Sequence, residues 1–413
     1  MLNYSVCNSG IPVYHVKMPD SAICKVILVA NCGSAQEDQD SWGVAHFLEH
    51  CCFQGTPLKN KHQISRDQAL VGSFNASTNY FATTYHFDAL NEDFEKGLML
   101  LKEAVFDSNF PEQEFEKEKS VIIEEWRMYD NYPTEFFWNF VAKKCFGTTE
   151  THPIIGTEQS IRDMSPEKLH RYRNKWYGQQ NMGLIIVGNL KFTHVMDAVN
   201  KILPQIPQVQ KTGTCLNSLL NEEKRYAFET SRFEQAAFGH VQKWISLKEN
   251  IEQKFVPTFF MYALNKYLYE HIRDDLGLCY GVSISGFSHY ENNHAIISML
   301  TSNEHLEKAE EELVKLFNKV KENGFPDELF EICKKQYIYS KIKGLQNVHG
   351  VANTVMAGIE LSIDNAWFVE QHQKLMNINL IKECAENLKP SNLQEFAQKH
   401  LEDGIKFVMS STK

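Results

Sequence analysis

The sequence predicts an α+β protein of two homologous domains, each a mainly antiparallel sheet with helices packed on one face. The chain has 413 residues, which exceeds the usual size of a single hydrophobic core. Segments with strand-like and helix-like hydrophobic periods alternate along it. Each half also ends in a helix followed by an apolar strand, and Leu169 and Tyr172 in the first half match Leu393 and Phe396 in the second. This repeated order favours a duplicated domain.

The individual elements follow from hydrophobic periodicity and from the turn residues that flank it. In the first half, strands are predicted at 22–30, within 75–90 and at 184–187, and helices at 42–52, 93–106 and 111–128. In the second half, strands are predicted at 228–244, 280–301 and 405–410, and helices at 256–274, 306–323 and 326–343. The polar segment 208–225 lacks periodicity and is the predicted linker between an N-terminal domain at 1–207 and a C-terminal domain at 226–413.

Composition and charge argue against several classes of function. The formal net charge is −10 and no dense run of lysine and arginine occurs, which disfavours binding to nucleic acid or to an anionic membrane. No apolar run reaches the roughly 18 residues that a membrane-spanning helix needs. The first residues lack a secretory signal pattern, so the ten cysteines are expected to be reduced thiols in a cytoplasmic protein.

The segment His46-Phe47-Leu48-Glu49-His50 has the pattern H-x-x-E-H. On a helix, His46 and His50 lie one turn apart on the same face, so both imidazoles can reach one zinc ion. Glu49 lies beside them, where it can reach a water molecule at the metal rather than the metal itself and can act as the catalytic base. This order inverts the H-E-x-x-H pattern and is the inverzincin signature.

A catalytic zinc site usually has three protein ligands, and the third is predicted at Glu125. Glu118 and Glu125 are seven residues apart in a helical segment, so they share a face across two turns. Glu118 is then expected to orient a ligand or the catalytic water without touching the metal. Cys51 and Cys52 adjoin the second histidine and could be taken for ligands, but they are interpreted as small buried core residues.

Each of these patterns also has a plainer interpretation. A single histidine on an amphipathic helix more often packs or caps than binds a metal, and a glutamate-rich helix is often only a solvated face. A five-residue pattern also arises by chance. What favours a metal site is the combination of the pattern with further matches along the chain.

These matches resemble the pitrilysin family of zinc metallopeptidases, and within it the branch of mitochondrial processing peptidase and its small bacterial relatives. The resemblance covers nearly the whole chain, including the wide separation between the histidine pattern and Glu125. The matching segments are 43–50, 53–56, 75–76, 84–85, 121–125, 152–157, 181–182 and 187–189. The resemblance implies one zinc ion per chain, held by His46, His50 and Glu125, with Glu49 as the base.

The segment 273–280 resembles the R-x6-Y element of this family, with Arg273 and Tyr280 at its ends. From the residues alone, an arginine and a tyrosine could instead cap a helix end and begin a strand. The family resemblance implies that Tyr280 stabilises the oxyanion and that Arg273 holds a substrate carbonyl. The substrate is expected to bind extended and to add a strand at Asn75 and Ala76, with a pocket that involves Phe53.

In this family four homologous domains enclose a chamber, whereas this chain has two domains. The resemblance therefore implies a second chain of the same fold, whose Arg273 and Tyr280 serve the zinc site of its partner. A homodimer is the simplest arrangement, and a heterodimer remains open. Cys51-Cys52 stands where the family usually has a larger apolar pair, which leaves open the local packing and the adjacent substrate subsite. The second half is diverged, and this leaves open the partner and the chamber shape.

The predicted function is a zinc-dependent endopeptidase that hydrolyses peptides or unfolded polypeptide segments in a closed chamber. One alternative is a non-catalytic structural or partner subunit of the same fold, although such subunits typically lose parts of the metal motif. Another alternative is a dedicated maturation protease for one precursor peptide. The sequence leaves the cleavage preference open, and it also leaves open manganese or cobalt in place of zinc.

Overall fold

The computed structural model describes residues 2–145, 152–209, 211, 224–244, 251–289, 292–359, 365–401 and 404–412. Spatial contacts divide the chain into two compact units. The first unit comprises Met1–Met128, His152–Thr214 and Lys343–Met376, and the second comprises Tyr129–Thr151, Cys215–Ile342 and Asn377–Lys413. Each unit contains one sheet.

A six-stranded sheet lies at the centre of the first unit. Its strands are β1 (Leu2–Val6), β2 (Pro12–Lys17), β3 (Ile23–Ala30), β4 (Gly72–Thr78), β5 (Thr83–Leu90) and β6 (Met182–Gly188). Their order across the sheet is β1-β2-β6-β3-β5-β4. All neighbours are antiparallel except β2 and β6, which run parallel. The strand β4 therefore forms one edge of the sheet.

A five-stranded sheet lies in the second unit. Its strands are β7 (Arg225–Thr230), β8 (Ala236–Trp244), β9 (Cys279–His289), β10 (Asn292–Thr301) and β11 (Ile405–Ser411). Their order is β7-β11-β8-β10-β9, with β7 and β11 parallel and the other pairs antiparallel. This arrangement repeats β2-β6-β3-β5-β4 of the first sheet, including its parallel pair. The predicted α+β fold with a duplicated sheet is thus confirmed.

Helices connect and cover both sheets. In the first half of the chain they are α1 (Val44–Cys51), α2 (Lys61–Val71), α3 (Phe94–Phe106), α4 (Glu112–Asp130), α5 (Pro133–Cys145), α6 (Glu158–Arg162), α7 (Pro166–Trp176) and α8 (Phe192–Ile202). In the second half they are α9 (Ile251–Leu268), α10 (Asn303–Asn323), α11 (Asp327–Leu345), α12 (Val348–Ile359), α13 (Asn365–Leu375), α14 (Ile378–Asn387) and α15 (Pro390–His400). Across the described ranges, none of these helices combines the length and apolar character needed to cross a membrane.

The central strand β3 is buried on both of its faces. Its successive side chains point in opposite directions and enter two different clusters. Val26 and Leu28 belong to the main core of the first unit, which includes residues of α1 and α4. Ile27 and Val29 belong to a second cluster on the other face. There they pack with residues of α12, including Val351. The prediction had helices on one face of each sheet, whereas in the first unit α12 also covers the second face.

Each compact unit contains a helix from the other half of the chain. The helix α12 covers the sheet of the first unit, as described above. The helix α5 packs in the second unit, where the ring of Phe140 lies 4.5 Å from that of Phe228 and 5.9 Å from that of Phe407, measured between centroids. The boundaries at 207 and 226 remain a prediction, since spatial packing does not locate the junction of a sequence duplication.

Candidate metal centre

The helix α1 places the histidine pattern against the core of the first unit. Phe47 and Leu48 are fully buried, together with Val44, Ala45 and Cys51, whereas the side chains of His46 and His50 are only partly exposed. This amphipathic division fixes the rotation of the helix, because the apolar side chains must face the core. The two imidazoles therefore leave the opposite side of α1 as neighbours, with ring centroids 4.6 Å apart.

The helix α4 brings Glu125 to these imidazoles. Its Oε2 atom lies 3.8 Å from Nε2 of His46 and 3.5 Å from Nε2 of His50. The three ligand atoms all lie within 4.8 Å of one another, and in the described part of the chain no other group of three histidine, cysteine or acidic side chains converges in this way. Two imidazoles and one carboxylate are the donor set of many catalytic zinc sites.

Glu118 fixes the orientation of His50. Its Oε1 atom lies 2.8 Å from Nδ1 of His50, so Nδ1 donates and the lone pair of Nε2 remains directed at the ligand group. Burial raises the pKa of the Glu118 carboxyl, but the hydrogen bond and charge of His50 and the charge of Lys61 outweigh it, and the net pKa is lowered. The Nζ atom of Lys61 lies 3.6 Å from Oε2 of Glu118.

His46 is held as a neutral imidazole. Burial, with a smaller contribution from the nearby His50, lowers the pKa of His46 to about 3. A neutral imidazole has a lone pair to offer a metal, whereas an imidazolium does not. His46 therefore keeps a free lone pair across the neutral pH range, as a metal ligand would need.

Glu49 lies beside the ligand group and is held by a strand. The hydroxyl of Thr78, at the end of β4, donates a hydrogen bond of 2.6 Å to Oε2 of Glu49. Burial raises the pKa of the Glu49 carboxyl, while the Thr78 hydroxyl and the charge of His50 oppose that rise. A raised pKa brings a carboxylate closer to the range in which it exchanges protons near neutral pH.

The residues predicted to bind substrate lie on or near the edge strand β4. Asn75 is exposed, and its Oδ1 atom accepts a hydrogen bond of 2.8 Å from the amide of Ala76. Ala76 is half-buried on the alternate face of the strand, together with Thr78. Phe53 packs against the core, with its ring centroid 6.4 Å from that of Tyr85.

Arg273 and Tyr280 are brought together in the second unit, whereas the three candidate ligands belong to the first. Arg273 lies in a π-helical turn, Tyr269–Asp275, that follows α9. Its guanidinium carbon lies 5.6 Å from the ring centroid of Tyr280 and 4.5 Å from that of Tyr269. The side chain of Tyr280 at the start of β9 is 89% exposed.

Cys51 and Cys52 are both fully buried and lie outside the group of ligand atoms. The Sγ atom of Cys52 lies 3.6 Å from the hydroxyl of Tyr85. Burial raises the pKa of the Cys52 thiol to about 11, and it also raises that of Cys51. Both side chains act as core residues, as predicted.

Sequence reasoning did not identify Thr78 or Lys61. The signal for Thr78 was present, because period-two alternation in β4 places it on the same face as Ala76. No local pattern pointed to Lys61, since its contact with Glu118 joins side chains of two separate helices, α2 and α4.

Comparison with known proteins gives matches to both halves of the chain. A family model described as insulinase (peptidase family M16) matches residues 13–158, which include the histidine pattern and Glu125. A second model, described as the peptidase M16 inactive domain, matches residues 163–337, which include Arg273 and Tyr280.

Similar proteins include an uncharacterized zinc protease of Rickettsia bellii, which is 25% identical over 75% of this chain and 76% of its own length. The β subunit of the mitochondrial-processing peptidase of Neurospora crassa is 25% identical over 52% of this chain and 45% of its own length. The crystal structure of a protease from Helicobacter pylori superposes with a TM-score of 0.84 at 18% identity and covers 100% of both chains.

Proposed function

Because this chain belongs to peptidase family M16, the insulinase family of zinc proteases, we propose that it is a zinc-dependent endopeptidase. Its substrates are peptides or unfolded polypeptide segments, cleaved in a closed chamber. The observation that carries the proposal is the convergence of His46, His50 and Glu125 beside a half-buried carboxylate, Glu49.

The ligand group fits one zinc ion per chain. The Nε2 atoms of His46 and His50 and Oε2 of Glu125 would hold the ion, and Glu118 supports this by holding Nδ1 of His50. When bound, zinc polarises a carbonyl and lowers the pKa of water towards neutral. Manganese and cobalt accept similar ligands, so metal analysis of the purified protein decides between them.

Glu49 is the general base in this proposal. The Thr78 hydroxyl donates its hydrogen bond to Oε2 of Glu49, which leaves Oε1 to take the proton of the attacking water. The same oxygen then passes the proton to the nitrogen of the leaving amine. The scissile peptide is split into a carboxylate and an amine, with water as the only co-reactant.

The substrate is proposed to bind extended along β4. This strand is an edge of its sheet, and an edge offers unpaired backbone groups that a peptide can pair with whatever its sequence. Asn75 and Ala76 lie in this strand, and Phe53 provides an aromatic surface near it. Selectivity would then come from the chamber and from a few side-chain pockets.

Arg273 and Tyr280 are proposed to act on the substrate of a partner chain. Tyr280 would donate to the oxyanion and Arg273 to a substrate carbonyl. Their mutual contact and the exposure of Tyr280 support a role in binding another molecule. A homodimer with two composite sites is the simplest arrangement, and a heterodimer is the alternative.

The test is cleavage of a quenched peptide library by the purified chain, with and without a chelator, together with light scattering. Glu49→Gln should retain zinc and lose turnover, because an amide cannot accept the proton. Glu124→Gln is the matched control, since Glu124 is exposed on α4 and pairs with Arg127. Normal turnover by Glu49→Gln would contradict the assigned role.

The oligomeric state separates the alternatives. Chelator-sensitive cleavage by a dimer agrees with the composite site. An inactive monomer that binds one zinc points to a missing partner chain, and an inactive chain without zinc points to the structural-subunit function. Cleavage of a single precursor among many peptides would indicate a maturation protease.

A further inference from the structure

The helix α1 begins without a capping side chain of its own. Its first residue is preceded by Gly43, which has a left-handed φ of 88° and no side chain. A Cβ atom at Gly43 would lie 2.4 Å from the carbonyl oxygen of Ile155, so only glycine fits. The first amides of a helix need acceptors, which a serine, threonine, aspartate or asparagine usually supplies. Here the acceptor must come from elsewhere.

Glu37 supplies that acceptor from outside the helix. Its Oε2 atom accepts a hydrogen bond of 2.6 Å from the amide of Gly43, and its Oε1 atom accepts one of 2.8 Å from the amide of Ala45. The side chain of Glu37 is 0% exposed. Both oxygens of one buried carboxyl group therefore hold the start of α1, and the second contact lies one residue before the ligand His46.

His152 faces the same carboxyl group. Its Nε2 atom lies 3.2 Å from Oε2 of Glu37, and its side chain is 4% exposed. Its Nδ1 atom lies 2.8 Å from the carbonyl oxygen of Pro153, which can only accept, so Nδ1 carries a hydrogen. The ring also stacks on Trp42, with centroids 4.9 Å apart. The imidazole is thus fixed on both of its edges and on one face.

A proton must lie between Glu37 and His152. If Nδ1 donates to Pro153, a neutral Nε2 has only a lone pair to present, and a lone pair repels a carboxylate oxygen. One further proton makes the contact a hydrogen bond and leaves the pair with no net charge. Burial raises the pKa of the Glu37 carboxyl well above its usual range and lowers that of His152 to about 4, so in both groups it favours the uncharged form.

We propose that Glu37 and His152 form a positioning pair for the metal centre, which sets the placement of α1 and through it of His46 relative to Glu125. The helix has only 8 residues, so it has little stability by itself and takes its position from tertiary contacts. Metal ligands tolerate displacements of only about 0.5 Å. The inference rests on the proposed function in one respect, which is that His46 and Glu125 bind a metal.

The experiment measures zinc affinity of the metal-free protein by competition with a chromophoric chelator. Glu37→Gln keeps the side-chain size, but its NH2 group would face one of the two backbone N–H groups at the start of α1. One hydrogen bond is then replaced by a repulsive contact between two donors. Zinc should bind roughly 10- to 100-fold more weakly, the range seen when groups behind a metal ligand are removed. Glu116→Gln is the control, because Glu116 lies exposed on α4 and contacts Lys119.

A second variant covers the case in which Glu37→Gln does not fold. His152→Gln retains both carboxyl contacts to α1 and removes the imidazole, so it should weaken zinc binding less. The absorption spectrum of the cobalt-substituted protein should change in both variants, since it reports ligand geometry. If the metal-free variants were less stable but had unchanged zinc affinity and an unchanged cobalt spectrum, the pair would only stabilise the fold. A wild-type chain that binds neither metal would overturn the proposed function together with this inference.

Discussion

The hydroxyl of Thr78 donates a hydrogen bond of 2.6 Å to Oε2 of Glu49 and thereby joins the edge strand β4 to the helix that carries the histidines. The bond restricts rotation of the carboxylate and leaves its other oxygen for chemistry. It also links Glu49, the proposed base, to the strand on which the substrate is proposed to bind. Thr78 is therefore expected to position Glu49.

Thr78→Val should lower kcat by roughly 10-fold or more, because hydrogen bonds to charged groups contribute about 1.5–3 kcal/mol. Valine has the shape of threonine without its hydroxyl, so packing in β4 is preserved. Steady-state kinetics on one fluorogenic peptide would check this. Thr78→Ser restores the hydroxyl and should recover most of the activity. A raised KM with kcat unchanged would mean that Thr78 serves the substrate edge instead.

Glu118→Gln should weaken zinc binding by roughly 10- to 100-fold, because His50 loses the carboxylate that accepts its Nδ1 hydrogen. The measurement is zinc affinity by chelator competition. Glu116→Gln on the same helix provides the control, since its side chain is exposed. Equal affinities in the two variants would show that the orientation of His50 does not depend on Glu118.

Part of the proposed ligand set is visible as local spacing within single helices, whereas the wide separation between the histidine pattern and Glu125 was bridged only by the family resemblance. His46 and His50 occur within one helical turn, and Glu118 and Glu125 within two turns of α4. The Glu37–His152 contact could not be predicted in this way, since its partners are separated by more than a hundred residues and neither lies in a periodic pattern. The packing of α12 on the first sheet is likewise tertiary information. Periodicity identifies the apolar face of a helix but not the surface that covers it.

Gly43→Ala should destabilise the protein, because alanine is strained at a positive φ and its Cβ would lie 2.4 Å from the carbonyl oxygen of Ile155. We expect the free energy of unfolding to fall by about 1–3 kcal/mol, the cost of strain and overpacking. Urea unfolding would measure it. Gly344→Ala is the control with the opposite sign, since Gly344 lies in α11 with open space around its Cβ position. Alanine there should stabilise by about 0.5–1 kcal/mol.

Glu310 in α10 should stabilise the second unit at neutral pH, and this stabilisation should be lost in acid. Its carboxylate accepts hydrogen bonds from Arg225 at 2.7 and 2.8 Å and from Lys406 at 3.0 Å. Burial raises the pKa of Glu310, but these two partners outweigh it and hold the net pKa below the usual 4.5. A depressed pKa means that the unfolded chain binds the proton more readily than the folded chain. The stabilisation is therefore complete above about pH 4.5 and disappears as the pH falls through the lower pKa of the folded state.

Glu310→Gln removes this contribution and should lower the free energy of unfolding by roughly 1–2 kcal/mol near neutral pH. The difference between wild type and variant should shrink as the pH falls below about 4.5, because the unfolded wild-type chain then takes up a proton at Glu310 and the folded chain follows at its lower pKa, which leaves both proteins with a neutral side chain there. Urea unfolding at a series of pH values measures it. Glu311→Gln is the matched control, since Glu311 is exposed and lies 3.7 Å from Lys315. A difference for Glu310→Gln that stayed constant with pH would mean that the size of the side chain, rather than its charge, stabilises this part of the unit.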